Sequence, residues 1–330
     1  MKKIKIGQLG IGHNHADGHM LGMKHNPECF EIVGYAEPDE EWVEKRGGLE
    51  AYEGVPRLEV DELLEKCDAV CIECDVWNLT KWAQRCVDAG KHVHIDKPAS
   101  GTLEEFTHLI ETAKEKNLIV HMGYMYRHNP AIKRTLEMIR AGELGEIYQV
   151  DLEMSTYHSE EYREWLKHFK GGSMYIFGSH LIDLAHLILG EPNKVHSFIK
   201  QTDFKGVHTD DNCFAVLEYD KAIAKITNLS VEVNGWGMRR MAVMGSRGTV
   251  EIKPLELDVE MYFSSIDFAC NPYADIRRKI AVPDMPARAR YNDMMHEFYE
   301  LVVGDKRDER LYVHDLAVQK TLMQAIGENI

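Results

Sequence analysis

The first 123 residues alternate short apolar runs with helix-forming stretches, and that alternation limits the fold more than any other feature of the chain. The runs are Lys3 to Leu9, Glu31 to Ala36, Ala69 to Ile72, His92 to Asp96 and LIVHMGY from Leu118, with a weaker strand expected near Val55. Helices are expected over about Asn14 to His25, from Glu40, and over Val60 to Lys66, Leu79 to Ala89 and Leu103 to Lys116. The last of these opens on a capping box, Thr102-Leu-Glu-Glu105. Strands regularly separated by helices predict a parallel, doubly wound sheet over residues 1–123.

After Tyr124 the pattern changes. A helix over Asn129 to Ala141 is closed by Gly142, and long alternating runs follow: IYQVDLEMSTY, VHSFIK, CFAVLEY, AIAKITNLSVEV, MAVMG and TVEIK. Turn residues separate them, notably Asp220-Lys221 and Gly245 to Gly248, so residues 124–330 are expected to form an open, mainly antiparallel sheet. One apolar helix, Ser173 to Leu189, interrupts the runs and stops at Gly190-Glu-Pro192. Residues 253 to 288, with Pro254, Pro272, Pro283 and Pro286, read as a loop-rich excursion. Helices over Ala289 to Val303 and Val313 to Ile326 finish the chain and are expected to pack toward the first domain.

In an open α/β sheet, ligands bind outside the carboxyl ends of the strands, so the residues found there are the candidates for chemistry. The first strand runs into Gly10-Ile-Gly12-His13-Asn14-His15, the second into Glu37, the third into Cys74-Asp75 and the fourth into Asp96-Lys97-Pro98. Two glycines between a strand and a helix suit a pyrophosphate at a helix N-terminus, although a plain strand-helix turn fits the same residues. His15 stands where a third glycine would allow the closest packing. Glu37 is placed to accept hydrogen bonds from a ribose, and the acids after it, with no nearby arginine, favour NAD over NADP.

Other residues admit more than one reading. His13, His15, His19 and His25 crowd one loop and helix, with His15 and His19 at ligand spacing; a metal there would compete with the pyrophosphate, so no metal is assigned. His180 and Asp183, three apart on the apolar helix, offer a general base or a satisfied core histidine. Arg127 suits a cleft wall or a surface salt bridge. Tyr157, His158, Trp165 and Trp236 suit sugar faces and hydroxyls, or a core. Cys71 and Cys74 form a CxxC with no second pair, and the seven cysteines are odd in number, so reduced thiols are expected.

Charge narrows the partners. Thirty-nine basic residues face 54 acidic ones, a net of −15, which disfavours nucleic acid and anionic membranes as partners. No apolar run approaches the length of a membrane span, and a cytoplasmic location is expected.

Together the motifs resemble the Gfo/Idh/MocA family, that of glucose-fructose oxidoreductase and inositol dehydrogenase. Asp96-Lys97-Pro98 after GKHV resembles its Glu-Lys-Pro motif, GYMYRHNP its inter-domain crossing, GGSMYIFGSHLIDL its HxxD helix and GSRGTVEI its late hairpin. The resemblance covers essentially the whole chain. It implies a nicotinamide-dependent oxidoreductase acting on a sugar, glycoside, cyclitol or related polyol, with Lys97 and His180 at the reacting carbinol. It also implies a homodimer or homotetramer formed through residues 146 to 252. The chain departs from the pattern at His15, at Cys74-Asp75 in place of Thr-Pro, at Leu79 in place of a histidine, and at Ile176, where full members carry an acid four residues before the histidine. Two rivals follow: an NAD-retaining glycosidase working by transient oxidation and elimination, and a sugar or dinucleotide sensor without turnover.

Overall fold

The computed structural model describes residues 3–256, 258–268, 273–283, 289–304 and 309–330. Contacts divide the chain into two compact units, residues 1–125 with 287–316 and residues 126–286 with 317–330.

The first unit carries β1 (Ile4–Leu9), α1 (Ala16–Lys24), β2 (Phe30–Ala36), α2 (Glu40–Arg46), α3 (Val60–Lys66), β3 (Ala69–Ile72), α4 (Leu79–Asp88), β4 (His92–Ile95), α5 (Leu103–Glu115) and β5 (Val120–Met122). Its five strands are parallel in the order β2-β1-β3-β4-β5. Every residue of β3 is buried, as expected for a parallel strand covered on both faces. Strand order reverses between β1 and β3, and the register aligns Leu9, Ile72, Ile95 and Met122 across the sheet. The residues that follow them, Gly10, Glu73, Asp96 and Gly123, therefore share one edge at the topological switch point. Thr102 and Glu105 form the expected capping box on α5.

The strand expected near Val55 is absent. Tyr35 and Arg57 make only an isolated bridge, because Pro56 has no N–H to donate and Gly54 turns the chain at φ +73°. The neighbouring turn, Glu50–Tyr52, is a short 3-10 helix.

The second unit begins with α6 (Pro130–Arg140), capped by Asn129, whose side-chain oxygen accepts the amides of Ala131 and Ile132. Then come β6 (Ile147–Glu153), α7 (Glu160–Leu166), α8 (Ser179–Leu189), β7 (Lys194–Lys200), β8 (Asn212–Glu218), β9 (Ile223–Leu229), α9 (Gly235–Met238), β10 (Arg240–Gly245), β11 (Gly248–Ile252), β12 (Met261–Ser265) and β13 (Arg278–Ile280). The eight strands run in the order β13-β12-β11-β10-β6-β9-β8-β7, and only the β6–β9 pair is parallel. Two terminal helices, α10 (Ala289–Val303) and α11 (Glu309–Ala325), complete the chain.

Two expectations change here. The stretch 253–288 is not simply loop, since β12 and β13 extend the sheet; Met261, Phe263 and Ser265 alternate inward, a period-2 pattern hidden between prolines. Pro272 and Pro286 lie outside the described residues. The apolar helix opens with a π-helical turn over Met174–Gly178 before α8 begins. Among the described residues no helix is long and apolar enough to cross a membrane.

Candidate active site

Gly10 adopts φ +89°, and a Cβ there would lie 2.4 Å from the Cys74 amide nitrogen. Only glycine allows this turn to touch the third strand's exit. Cys74 is buried and donates through Sγ to the Leu9 carbonyl at 3.3 Å. Asp75 is half-buried; burial raises its pKa against a hydrogen bond from Trp42. A Cβ on Gly12 would meet the same indole at 2.7 Å.

Glu37 ends β2 nearly buried and binds the loop directly. Its Oε2 accepts the Ile11 amide at 2.6 Å and its Oε1 the Asp39 amide at 3.0 Å. Burial pushes its pKa up, opposed by those two amides. An arginine does lie nearby, contrary to the sequence reading. Arg57 donates to the Glu37 carbonyl at 3.3 Å and binds the Glu40 carboxylate, brought there by its bridge to Tyr35 rather than by proximity in sequence.

The loop amides show what a dinucleotide could use. Ile11 and His13 spend theirs on Glu37 and the Glu73 carbonyl, and His15 donates to the His13 ring. Among the described residues no such bond is recorded for Gly12 or Asn14, so their amides, ahead of α1, fit a pyrophosphate. Asn14 is exposed and His15 half-buried.

Three of the four clustered histidines converge on two acids. Asp96 Oδ2 lies 2.8 Å from His15 Nδ1, 3.1 Å from His13 Nδ1 and 3.9 Å from His19 Nδ1. Glu73 Oε1 lies 3.0 Å from His19 Nδ1, and Oε2 lies 3.7 Å from His13 Nδ1. His25 turns away to Asn292. Burial lowers the His15 pKa to about 4 despite Asp96. Burial also opposes charge on His19, but Glu73 outweighs it and the pKa rises. Burial disfavours an ionised Asp96, yet His13 and His15 hold it well below the usual carboxylate range.

Lys97 is 4% exposed, and its amide donates to Asp96 Oδ1 at 2.6 Å. The Asp96 carboxylate thus fixes the backbone of the lysine as well as the histidine rings.

In the second unit, Arg127 grips Asp183, with Nε 3.0 and 3.1 Å from the two carboxylate oxygens and a terminal nitrogen 2.5 Å from Oδ1. Both oxygens of the Asp183 carboxylate are engaged by Arg127. His180 is 3% exposed and meets the Tyr126 ring edge-on at 4.8 Å. The Tyr126 hydroxyl donates to Glu256, which also accepts Arg239 at 2.6 Å. Ile176 is buried inside the π-helical turn, where residues four apart do not stack as they do on an α-helix.

The aromatic candidates separate. Trp165 packs on Tyr162 and Phe169, Tyr157 is 47% exposed beside Phe204, and Trp236 lies under the Arg239 guanidinium at 4.2 Å. His158 packs against both Tyr162 and Phe177, where burial, then Arg239 and Arg163, lowers its pKa to about 4. The sequence reading missed Glu73, His94, Tyr126, Arg239 and Glu256. One signal was available for His94: it alternates with Val93 and Ile95 and so faces the same side as Asp96.

Known proteins resemble this chain throughout. A family model described as "Oxidoreductase family, NAD-binding Rossmann fold" matches residues 4–124, and one described as "Oxidoreductase family, C-terminal alpha/beta domain" matches residues 136–315. An uncharacterized oxidoreductase of Schizosaccharomyces pombe is 28% identical over 99% of this chain and 92% of its own length. A dTDP-3,4-didehydro-2,6-dideoxy-alpha-D-glucose 3-reductase of Streptomyces violaceoruber is 27% identical over 43% of each chain. The D-xylose 1-dehydrogenase (NADP(+)) 2 of Haloferax volcanii is 27% identical over 52% of this chain and 51% of its own, so the match spans about half the length of these two enzymes. The solved structure of UDP-N-acetylglucosamine 3-dehydrogenase from Acidithiobacillus ferrooxidans shares the fold, with a TM-score of 0.81 at 20% identity over 98% of this chain and 97% of that one.

Proposed function

The chain belongs to the Gfo/Idh/MocA oxidoreductase family, and on that footing we propose that it oxidises a secondary hydroxyl of a sugar, glycoside or cyclitol to a ketone, or runs the reverse reaction, with NAD. The observation that carries the reading is Lys97, a cation buried at the exit of β4 with its backbone held by Asp96, on the sheet edge where ligands bind. The chemistry supplied by a bound nicotinamide is hydride acceptance. Lys97 orients the substrate oxygen and stabilises the charge that develops on it, and His180 takes the hydroxyl proton. Arg127, Tyr157 and Trp165, with Ile176 and Asp183, shape the substrate side. The names of the Streptomyces violaceoruber reductase and the Haloferax volcanii dehydrogenase point to a sugar nucleotide and a sugar, which supports the substrate class. An absorbance screen at the NADH wavelength, with NAD and NADP against sugars, cyclitols and glycosides, tests it. Ligand binding without turnover over the whole panel would overturn it.

NAD is expected to bind at least about tenfold, or 1.4 kcal/mol, more tightly than NADP. Glu37, Asp39, Glu40 and Glu41 repel a 2′-phosphate, and Arg57 is already engaged by Glu40. Fluorescence titration should show Glu37→Ala narrowing the gap; equal affinities in the unaltered protein would remove the assignment.

We further propose assembly through the outward face of the second sheet. Phe198 and Phe214, 6.0 Å apart, share that face with Val216 and Ile223, and Phe198 and Ile223 are 53% and 46% exposed. Light scattering should give a dimer or tetramer, and a monomer at high concentration would count against it.

A further inference from the structure

The histidine-carboxylate cluster of the first unit shares Asp96 with the Lys97 site but brings together donors that the redox reading does not use. The donor atoms of His13, His15 and Asp96 lie within 4.8 Å of one another, as do those of His19, Glu73 and His94. Donors at 2.0–2.1 Å around a tetrahedral ion are separated by about 3.4 Å. The distances from Asp96 Oδ2 to the three Nδ1 atoms, 2.8, 3.1 and 3.9 Å, bracket that value.

Hydrogen bonding alone leaves this cluster poorly satisfied. Asp96 and Glu73 are both fully buried, and a buried charge must be paired or coordinated. His13 Nδ1 lies 3.2 Å from the His15 amide and 3.1 Å from Asp96 Oδ2, so it can accept from the first or donate to the second but cannot do both. A cation bound there would take the place of either contact. Independently, His19 Nε2 and Glu73 Oε2 are buried with no hydrogen-bond partner among the described residues.

We propose that the first unit binds one divalent transition-metal ion of the zinc class through His13, His15 and Asp96, with His19 and Glu73 closing its buried side. Imidazole nitrogen and carboxylate oxygen form a donor set suited to zinc. The sequence reading set a metal aside because it would compete with the pyrophosphate; the acids that complete the cluster, Glu73 and Asp96, follow β3 and β4 directly. The donors face those strand ends, so the ion leaves the Gly12 and Asn14 amides to a dinucleotide.

The test uses zinc itself. Full-length protein is incubated with zinc, desalted and analysed for metal, alongside His15→Ala, Asp96→Asn and the exposed control His208→Ala. About one zinc per chain is expected in the unaltered protein and the control, and less than about a fifth of that in the two site variants. Zinc at a hundred times its dissociation constant should raise Tm by about 5 °C, reversed by a chelator and absent in His15→Ala. His15 is only partly buried, so its variant should fold, and circular dichroism checks that it does. Below about 0.2 zinc per chain in the unaltered protein, or full retention in folded His15→Ala, overturns the proposal.

Discussion

Lys97→Met is expected to lower turnover by about a hundredfold or more, the scale of losing one preorganised donor in a water-poor site. Methionine keeps most of the apolar stem and removes only the charge, so the buried surroundings of Lys97 need not rearrange. NAD affinity should stay nearly unchanged, because the loop around Gly10 and the Glu37 carboxylate do not depend on the ammonium. The loss should therefore fall on kcat, measured as NADH formation on an identified substrate, with dinucleotide binding followed separately by fluorescence. A wild-type rate in this variant would place the chemistry elsewhere.

The second large effect belongs to His180. Removing the imidazole should cost about 10² to 10⁴ in rate, the range for a positioned general base, with the deficit shrinking as pH rises and hydroxide substitutes. A merely structural histidine would give a loss that does not depend on pH. Tyr126 packs edge-on against the His180 ring, and Asp183, three residues along the same helix, holds Arg127. An equal loss at neutral and alkaline pH would assign His180 a packing role instead.

Most of the fold could be read from the chain because its periodicities are local. The strand-helix repeat and the capping box at Thr102 fixed the first sheet, and the bounds of α3 fell where the apolar spacing put them. Failures came where a partner distant in sequence decides the outcome. The strand near Val55 is the exception, lost to a local cause, since Pro56 removes the donor that a ladder needs. β12 exists because β11 gives it an edge to pair with. The same holds for the site. Glycines, Glu37 and Lys97 stand at strand ends, where position itself signals function. Arg57 reaches Glu37 through a bridge, Asp183 is claimed by Arg127, and the acids beside His13 arrive from two other strands. No spacing along one helix contains that information.

The parallel pairing of β6 with β9 has a consequence for how the second unit comes into being. β6 has two neighbours, β9 on one side and β10 on the other, and both are made long after it. On the ribosome β6 therefore emerges with both edges open and waits while α7, α8, β7 and β8 are synthesised. β7 and β8 can form their hairpin meanwhile, but the centre of the sheet cannot close around it. Even then α8 and β7 lack the bonds that His186 and Ser197 make to Thr321 and Ala325, near the chain's far end. Such non-local closure is slow and leaves apolar strand edges exposed in the interval, the circumstance in which a nascent chain is open to aggregation.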